Sequence, residues 1–178
     1  MIRLSEAHLD AIRSHGAAEF PRECCGVLLG DVEEGTKTVR EVRLLPNTFT
    51  PSDEFERSVG AADVTAGGEP VGQERRYMVA PDAMFQLMLE ERLTKRKVLG
   101  FYHSHPDHPA RPSEYDRVWA MPWYSYIIVS ILRGKPDAIT CWVLTEDGGK
   151  FESEPIEGQQ YRTPQPGPDP KGARERGC

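Results

Sequence analysis

The chain is poor in cysteine, in basic charge and in long apolar runs, and each shortage excludes a class of protein. Its 178 residues include four cysteines with no Cys-x-x-Cys spacing, which argues against a disulfide framework. The net charge of -6 leaves no electrostatic footprint for nucleic acid or an anionic membrane surface. No apolar run approaches a membrane span, and the N-terminus shows no signal-peptide pattern. We therefore expect a cytoplasmic protein without nucleic-acid or membrane partners.

The hydrophobic pattern predicts a single α/β domain, a mixed β-sheet flanked by helices. Helices are predicted over residues 6–18, 81–93 and 113–120 from apolar spacing and from Ser and Pro start signals. Strands are predicted over residues 23–30, 38–45, 77–79, 97–102, 126–132, 138–144 and 150–156. The domain is expected to cover residues 1–156, with a flexible insertion at 51–76 and a disordered tail at 157–178.

The strongest chemical signal is a pair of histidines, His103 and His105, at the end of an apolar run. Side chains at i and i+2 of a strand point to one face, so both imidazoles can reach one point. A loop then leads to Ser113 and Asp116, which i,i+3 spacing places on one face of a helical turn. Two histidines and a carboxylate are the ligand set of a catalytic Zn²⁺ with an open fourth position for water. We expect one zinc ion per chain, bound by His103, His105 and Asp116.

A zinc site of this kind needs a base that does not itself bind the metal, and Glu23 is the candidate. It stands at the entrance of a buried strand, where a carboxylate is unusual. The zinc lowers the pKa of its water to about 7, and Glu23 is expected to accept that proton and deliver it to the leaving amine. The Ser113 hydroxyl is expected to hydrogen-bond the developing oxyanion. His8, His15 and His108 are expected to be surface residues rather than ligands.

Together these residues resemble the JAMM (MPN+) metallopeptidases, whose pattern is an upstream Glu, then His-Ser/Thr-His-Pro, seven residues, Ser, two residues and Asp. His103-Ser104-His105-Pro106 is followed by Ser113 and Asp116 at that spacing, and the stretch from Pro21 to Gly30 resembles the family's base-bearing strand. The resemblance covers residues 5–156 and leaves no position of the motif unmatched.

The resemblance implies a fold similar to cytidine deaminase and a prokaryotic branch whose members act on ubiquitin-like or sulfur-carrier proteins. It implies hydrolysis of the peptide or isopeptide bond after the carrier's C-terminal glycines. Two alternatives remain open at the level of the sequence. One is a non-catalytic MPN-type module that binds proteins, and the other is a zinc hydrolase of small amides; the intact Glu23 argues against the first.

Overall fold

The computed structural model describes residues 1–50 and 72–158, which contain one eight-stranded β-sheet. The strands of the described residues are β1 (Ile2–Arg3), β2 (Cys25–Glu33), β3 (Thr36–Leu45), β4 (Lys97–Pro106), β5 (Ser125–Leu132), β6 (Lys135–Leu144), β7 (Phe151–Ser153) and β8 (Ile156–Glu157). The helices there are α1 (Glu6–Glu19), α2 (Pro81–Leu93) and α3 (Glu114–Trp119). The strands form one sheet in the order β7-β6-β5-β4-β2-β3-β1-β8.

The sheet is mixed, as the sequence predicts. β2 pairs antiparallel with both β3 and β4, whereas β4 and β5 run parallel. A parallel pair needs a crossover connection, and α3 lies within the one that joins β4 to β5. Gly100 permits the close approach of these two strands, because a Cβ atom there would lie 1.9 Å from the carbonyl oxygen of Ser125. The predicted single α/β domain with a mixed sheet is confirmed.

Helices cover both faces of the sheet and divide the buried side chains into two clusters. Leu9 and Ile12 of α1 pack with Leu28 and Tyr102 on one face. On the other face Leu87 of α2 is in a cluster with Val27, Leu29, Val98, Phe101 and Tyr126. Strand alternation therefore directs Phe101, His103 and His105 toward the α2 face and Ser104 toward the α1 face.

The start of α1 shows a capping box that the sequence only partly predicts. The Ser5 hydroxyl accepts a hydrogen bond from the His8 backbone N–H, and His8 Nδ1 accepts one from the Ser5 backbone N–H, each 3.3 Å long. His8 thus accepts the N-cap hydrogen bond that a Glu or Gln side chain usually accepts at this position. Within residues 1–50 and 72–158, no helix is long and apolar enough to cross a membrane.

Three sequence predictions differ from the structure. Residues 77–79 are extended but belong to no strand, so the predicted strand there is wrong. β1 was not predicted, because two residues give no periodic signal; it pairs in parallel with β3 and β8. The single strand predicted over residues 150–156 is instead two short strands, β7 and β8, which lie at opposite edges of the sheet. The insertion lies outside the described residues except for 72–76, and the tail except for Glu157, which is in β8, and Gly158.

Candidate metal centre

His103 and His105 meet on one face of β4, as strand alternation predicts. Their Nε2 atoms are 3.0 Å apart, and both side chains are buried. Two ring nitrogens at this distance cannot both carry a hydrogen directed at the other, so at least one of them presents a lone pair. His105 Nδ1 lies 2.9 Å from the carbonyl oxygen of Pro109. A hydrogen bond donated to that carbonyl places the proton on Nδ1 and leaves the Nε2 lone pair free for a metal.

Asp116 completes the group from the first turn of α3. Its Oδ1 is 3.3 Å from His103 Nε2, and its Oδ2 is 3.7 Å from His105 Nε2. Ser113 is the N-cap of this helix, and its hydroxyl accepts from the Asp116 backbone N–H. The Ser113 backbone N–H and hydroxyl both donate to Asp116 Oδ2, each at 2.6 Å. The i,i+3 spacing therefore has a double purpose, because the capping box also fixes the carboxylate that faces the histidines.

Burial and mutual contact give these three side chains distinct pKa values. Burial lowers the pKa of His103 to about 4, which keeps its imidazole neutral near pH 7. Burial also opposes charge on His105, but the hydrogen bond and negative charge of Asp116 outweigh it and raise the His105 pKa. For Asp116, burial opposes ionisation, yet the two histidines and Ser113 hold its pKa well below the ordinary range. Asp116 is therefore a carboxylate at neutral pH.

Glu23 lies beside this group because β2 is tied directly to β4. The Ser104 hydroxyl accepts a 2.8 Å hydrogen bond from the Cys24 backbone N–H, and the Ser104 N–H donates to the Cys24 carbonyl at 3.1 Å. Cys25 pairs with His103 in the ladder, so the same antiparallel register, continued by two residues, brings Glu23 opposite His105. Ser104 thus holds the chain at the start of β2 against the part of β4 that bears the two histidines, and it does so from the opposite face of the sheet.

The Glu23 carboxyl is 6% exposed, and its environment changes its acidity strongly. Burial raises its pKa to about 8, and the negative charge of Asp116 adds to that rise. His105, Arg76 and Arg75 act in the opposite direction. A carboxyl group that titrates near neutral pH can exchange a proton during a reaction, whereas an ordinary glutamate is already ionised.

Several residues that shape the site carry no signal in the sequence. Tyr77 stacks on the ring of His103 with centroids 4.5 Å apart. Asn47 donates through Nδ2 to the carbonyl oxygens of Glu23 and Arg76 at 2.9 and 3.0 Å. Its Oδ1 accepts from the backbone N–H groups of Phe49 and Met78. Except for the local Phe49–Asn47 bond, these contacts join residues far apart in sequence, so no local pattern predicts them.

The remaining histidines take no part in the group. His8 serves the capping box, and His15 Nδ1 lies 2.8 Å from the Tyr102 hydroxyl. Both are half-buried rather than fully solvated, which corrects their interpretation as surface residues. His108 is exposed, as expected, and lies outside the group of His103, His105 and Asp116.

Two cavities of opposite character meet at the site. An apolar groove of about 380 Å³ borders Asp116 and is lined chiefly by Tyr77, Met78, Met84, Phe101, Trp119 and Tyr126. A second cavity of about 250 Å³ borders His105 and is lined by Glu23, Arg75, Arg76, His108, Pro109, Arg111 and Ser113. We call the second one the cationic cavity. Because Asp116 borders the first cavity and His105 the second, an extended chain could pass the site from one cavity to the other.

The three ligand side chains fit a divalent metal ion. One ligand atom from each of His103, His105 and Asp116 can be chosen so that all lie within 4.8 Å of one another. Imidazole nitrogens and a carboxylate oxygen are the donors that zinc favours, and three protein ligands leave one position open. Neutral His103 and ionised Asp116 are already in the protonation states that metal binding requires.

The chain is similar to several known proteins. A protein of Salinibacter ruber is 32% identical with a TM-score of 0.60, over 93% of this chain and 95% of that one. A protein of Desulfitobacterium hafniense is 25% identical with a TM-score of 0.64, over 88% and 91% of the two chains. Tail tip assembly protein K of Escherichia phage N15 is 28% identical over 120 residues, which are 65% of this chain and 37% of the phage protein. The match thus covers little more than a third of that protein.

The family assignment rests on a match to a profile described as prokaryotic homologs of the JAB domain, which extends over residues 5–145. The matched range contains Glu23, both histidines, Ser113 and Asp116. The resemblance that the sequence motif indicated is therefore confirmed at the level of the family and its fold. This chain belongs to the prokaryotic branch of the JAB domain family.

Proposed function

We propose that this chain is a zinc-dependent peptidase or isopeptidase that hydrolyses the bond after the C-terminal glycines of a ubiquitin-like or sulfur-carrier protein. The observation that carries the proposal is the position of Glu23. This carboxyl group is buried, and His105 and Asp116 are the two side chains whose charges act on it most strongly. A site that only stabilised the fold would not need a protonatable carboxyl group next to its ligands. The substrate class comes from the resemblance to the JAMM metallopeptidases.

The chemistry follows from the side chains around the open position. A zinc ion bound there supplies Lewis acidity, which lowers the pKa of a water to about 7 and polarises a carbonyl group. Glu23 accepts one proton from the attacking water and passes it to the leaving nitrogen. The water oxygen becomes bonded to the acyl carbon, and the carbon–nitrogen bond breaks to give a carboxylic acid and an amine. No oxidant or reductant is required.

Ser113 has two polar groups that can act separately in this reaction. Its backbone N–H and its hydroxyl both contact Asp116 Oδ2. The backbone contact can hold the carboxylate alone, so the hydroxyl is free to turn toward the oxyanion that forms at the substrate carbonyl. Loss of one such donor typically costs about 3–4 kcal/mol in the barrier.

The apolar groove is the proposed seat of the carrier's tail. It is lined by aromatic and aliphatic side chains and reaches Asp116. Two of the large side chains that line the groove, Trp119 and Met121, are also exposed. Exposed apolar surface of this kind at a groove is typical of a protein-binding site.

The proposal is tested with a ubiquitin-like carrier that has one extra residue after its terminal Gly-Gly. The full chain is stripped of metal with a chelator, reloaded with zinc, and incubated with the carrier while the carrier's mass is followed. We expect loss of the extra residue only with the zinc-loaded protein. Glu23→Gln should reduce the rate by about 100-fold to 10,000-fold while still binding zinc, and the exposed Glu146→Gln should match the wild type.

Two results would overturn the proposal. Equal cleavage before and after verified zinc removal would refute the metal-dependent mechanism. Full activity of Glu23→Gln would refute the role of Glu23. Stable binding of an uncleaved carrier by the zinc-loaded wild type would instead support a non-catalytic binding module.

A further inference from the structure

Three arginines line the cationic cavity, and Glu23 is the one carboxylate-bearing side chain among its described lining residues. Arg75, Arg76 and Arg111 all border it together with Glu23 and His105. Within the described ranges, none of the three forms a salt bridge, whereas Arg13, Arg43 and Arg117 each form one or more with nearby carboxylates. Three guanidinium groups against a single carboxyl group in one small cavity indicate a site for an anion.

Arg76 is held in position more firmly than a solvated arginine. Its guanidinium carbon lies 4.1 Å from the centre of the Tyr115 ring, a cation–π contact. Its Nη1 donates a 2.7 Å hydrogen bond to the carbonyl oxygen of Arg75. Its Nε atom is buried and has no acceptor among the described residues. A buried guanidinium N–H without an acceptor is costly, and an anion in the cavity would satisfy it.

The position of Glu23 identifies which part of the substrate these arginines face. Under the proposed function, Glu23 gives its proton to the leaving nitrogen, so the leaving group lies on the Glu23 side of the ligands. That side is the cationic cavity, whereas the apolar groove lies on the side of Asp116. At about 250 Å³ the cavity is smaller than a typical site of ~300–1,000 Å³ for a drug-sized ligand. It suits a short leaving group rather than a folded protein.

We propose that Arg75, Arg76 and Arg111 bind the free α-carboxylate of the residue that leaves, which makes this chain selective for short linear C-terminal extensions. This inference rests on the proposed function and narrows it from peptidase or isopeptidase to peptidase. A planar guanidinium matches a carboxylate with two parallel hydrogen bonds, a geometry that neutral amides do not reproduce. A lysine side chain of a folded protein, the leaving group of an isopeptide bond, brings no α-carboxylate to this cavity.

The test compares three substrates that share one carrier tail and differ in the last residue. The first ends in alanine with a free carboxylate, the second in alanine amide, and the third in aspartate amide, which carries only a side-chain carboxylate. With the zinc-loaded full chain we expect kcat/KM for the free acid to exceed that for alanine amide by on the order of 10- to 100-fold, largely through KM. The aspartate amide should resemble alanine amide. Equal rates on all three substrates would overturn the inference, and faster cleavage of the aspartate amide would assign the arginines to a side chain instead.

Variants connect this preference to the arginines. Arg76→Gln and Arg111→Gln should each reduce the ratio of the free-acid rate to the amide rate several-fold, and the double variant should bring it close to one. Arg92→Gln is the matched control, because Arg92 is exposed at the end of α2, has no salt bridge in the described residues and does not line the cavity. Arg111 is itself exposed, so its variant keeps the test valid if Arg76→Gln does not fold. An unchanged ratio in the folded variants would refute the assignment.

A binding measurement separates this inference from the proposed function. Free alanine and alanine amide are titrated into the zinc-loaded protein and followed by NMR chemical shifts, which require no turnover. We expect saturable shifts with alanine that Arg76→Gln or Arg111→Gln weakens and that alanine amide does not reproduce. If no substrate is cleaved but this selectivity is present, the proposed function fails and the carboxylate site stands. If cleavage occurs without the selectivity, the carboxylate site fails alone.

Discussion

The raised pKa of Glu23 makes the stability of the metal-free protein depend on pH in a predictable direction. In the unfolded chain this carboxyl group has an ordinary pKa of 4.5, whereas in the folded protein the value is about 8. Between these two values the folded state binds a proton that the unfolded state has released. Raising the pH therefore lowers the free energy of unfolding. This loss of stability is complete once the pH passes about 8.

The size of this effect follows from the two pKa values. At about 1.4 kcal/mol for each pKa unit, the interval corresponds to an upper limit of about 5 kcal/mol. Between pH 5 and pH 8 the expected loss is about 3 kcal/mol. The isosteric Glu23→Gln variant is neutral at every pH and lacks this loss. Its stability relative to the wild type should therefore increase by about 3 kcal/mol over the same range.

Urea unfolding of the chelator-treated proteins at pH 5, 6, 7 and 8 measures the difference. Glu146→Gln, which removes an exposed carboxylate, is the matched control and should show no comparable trend. A constant difference between Glu23→Gln and the wild type from pH 5 to pH 8 would refute the reasoning. Saturating zinc provides a second check, because a nearby cation favours the carboxylate and should reduce the advantage of the variant.

Three other substitutions probe different parts of the site. Asp116→Asn removes the charge of a proposed ligand and should weaken zinc binding. The loss of affinity should exceed the roughly 10- to 100-fold cost of losing a ligand's hydrogen-bond partner. Competition with a chromogenic chelator measures the zinc affinity, and an unchanged affinity would exclude Asp116 as a ligand. Ser113→Ala should lower kcat by about 100-fold to 1,000-fold, and a loss of zinc affinity large enough to account for it would assign the hydroxyl to Asp116 instead. Ser104→Ala leaves the buried Cys24 N–H without its acceptor and should cost about 1–3 kcal/mol in urea unfolding; a cost below about 0.5 kcal/mol, typical of surface positions, would contradict the proposed link between β2 and β4.

The sequence predicts the three candidate ligands because each is placed by a local rule. Alternation along β4 brings His103 and His105 to one face, and a single helical turn brings Asp116 back beside Ser113. Glu23 is 80 residues upstream of His103, and only its unusual position at a strand entrance and the family motif indicated it. The structure brings it near the ligands, but its role as the base remains a prediction.

The parts that the sequence does not predict depend on contacts between distant segments. Tyr77 is in a short stretch with a strand-like composition, yet no strand of the described residues pairs with it, and its ring stacks on His103 instead. Ser104 looks like a spacer between two histidines, but its hydroxyl holds the Cys24 backbone. Arg76 follows a region without periodicity, and its contact with Tyr115 depends on how its segment packs against α3. Propensity describes the local backbone, whereas partners of this kind are decided by tertiary packing.

The four hydrogen bonds of Asn47 have a consequence for how this family can vary. They join the carbonyl groups of Glu23 and Arg76 to the N–H groups of Phe49 and Met78. A single side-chain amide therefore holds Phe49, Arg76 and Met78 close to the backbone of Glu23. A change in the number of residues between positions 50 and 72 therefore need not move Glu23, because one side chain holds the described residues on both sides of that stretch. The distances from Glu23 to His105 and Asp116 can then stay the same while the length of the stretch varies.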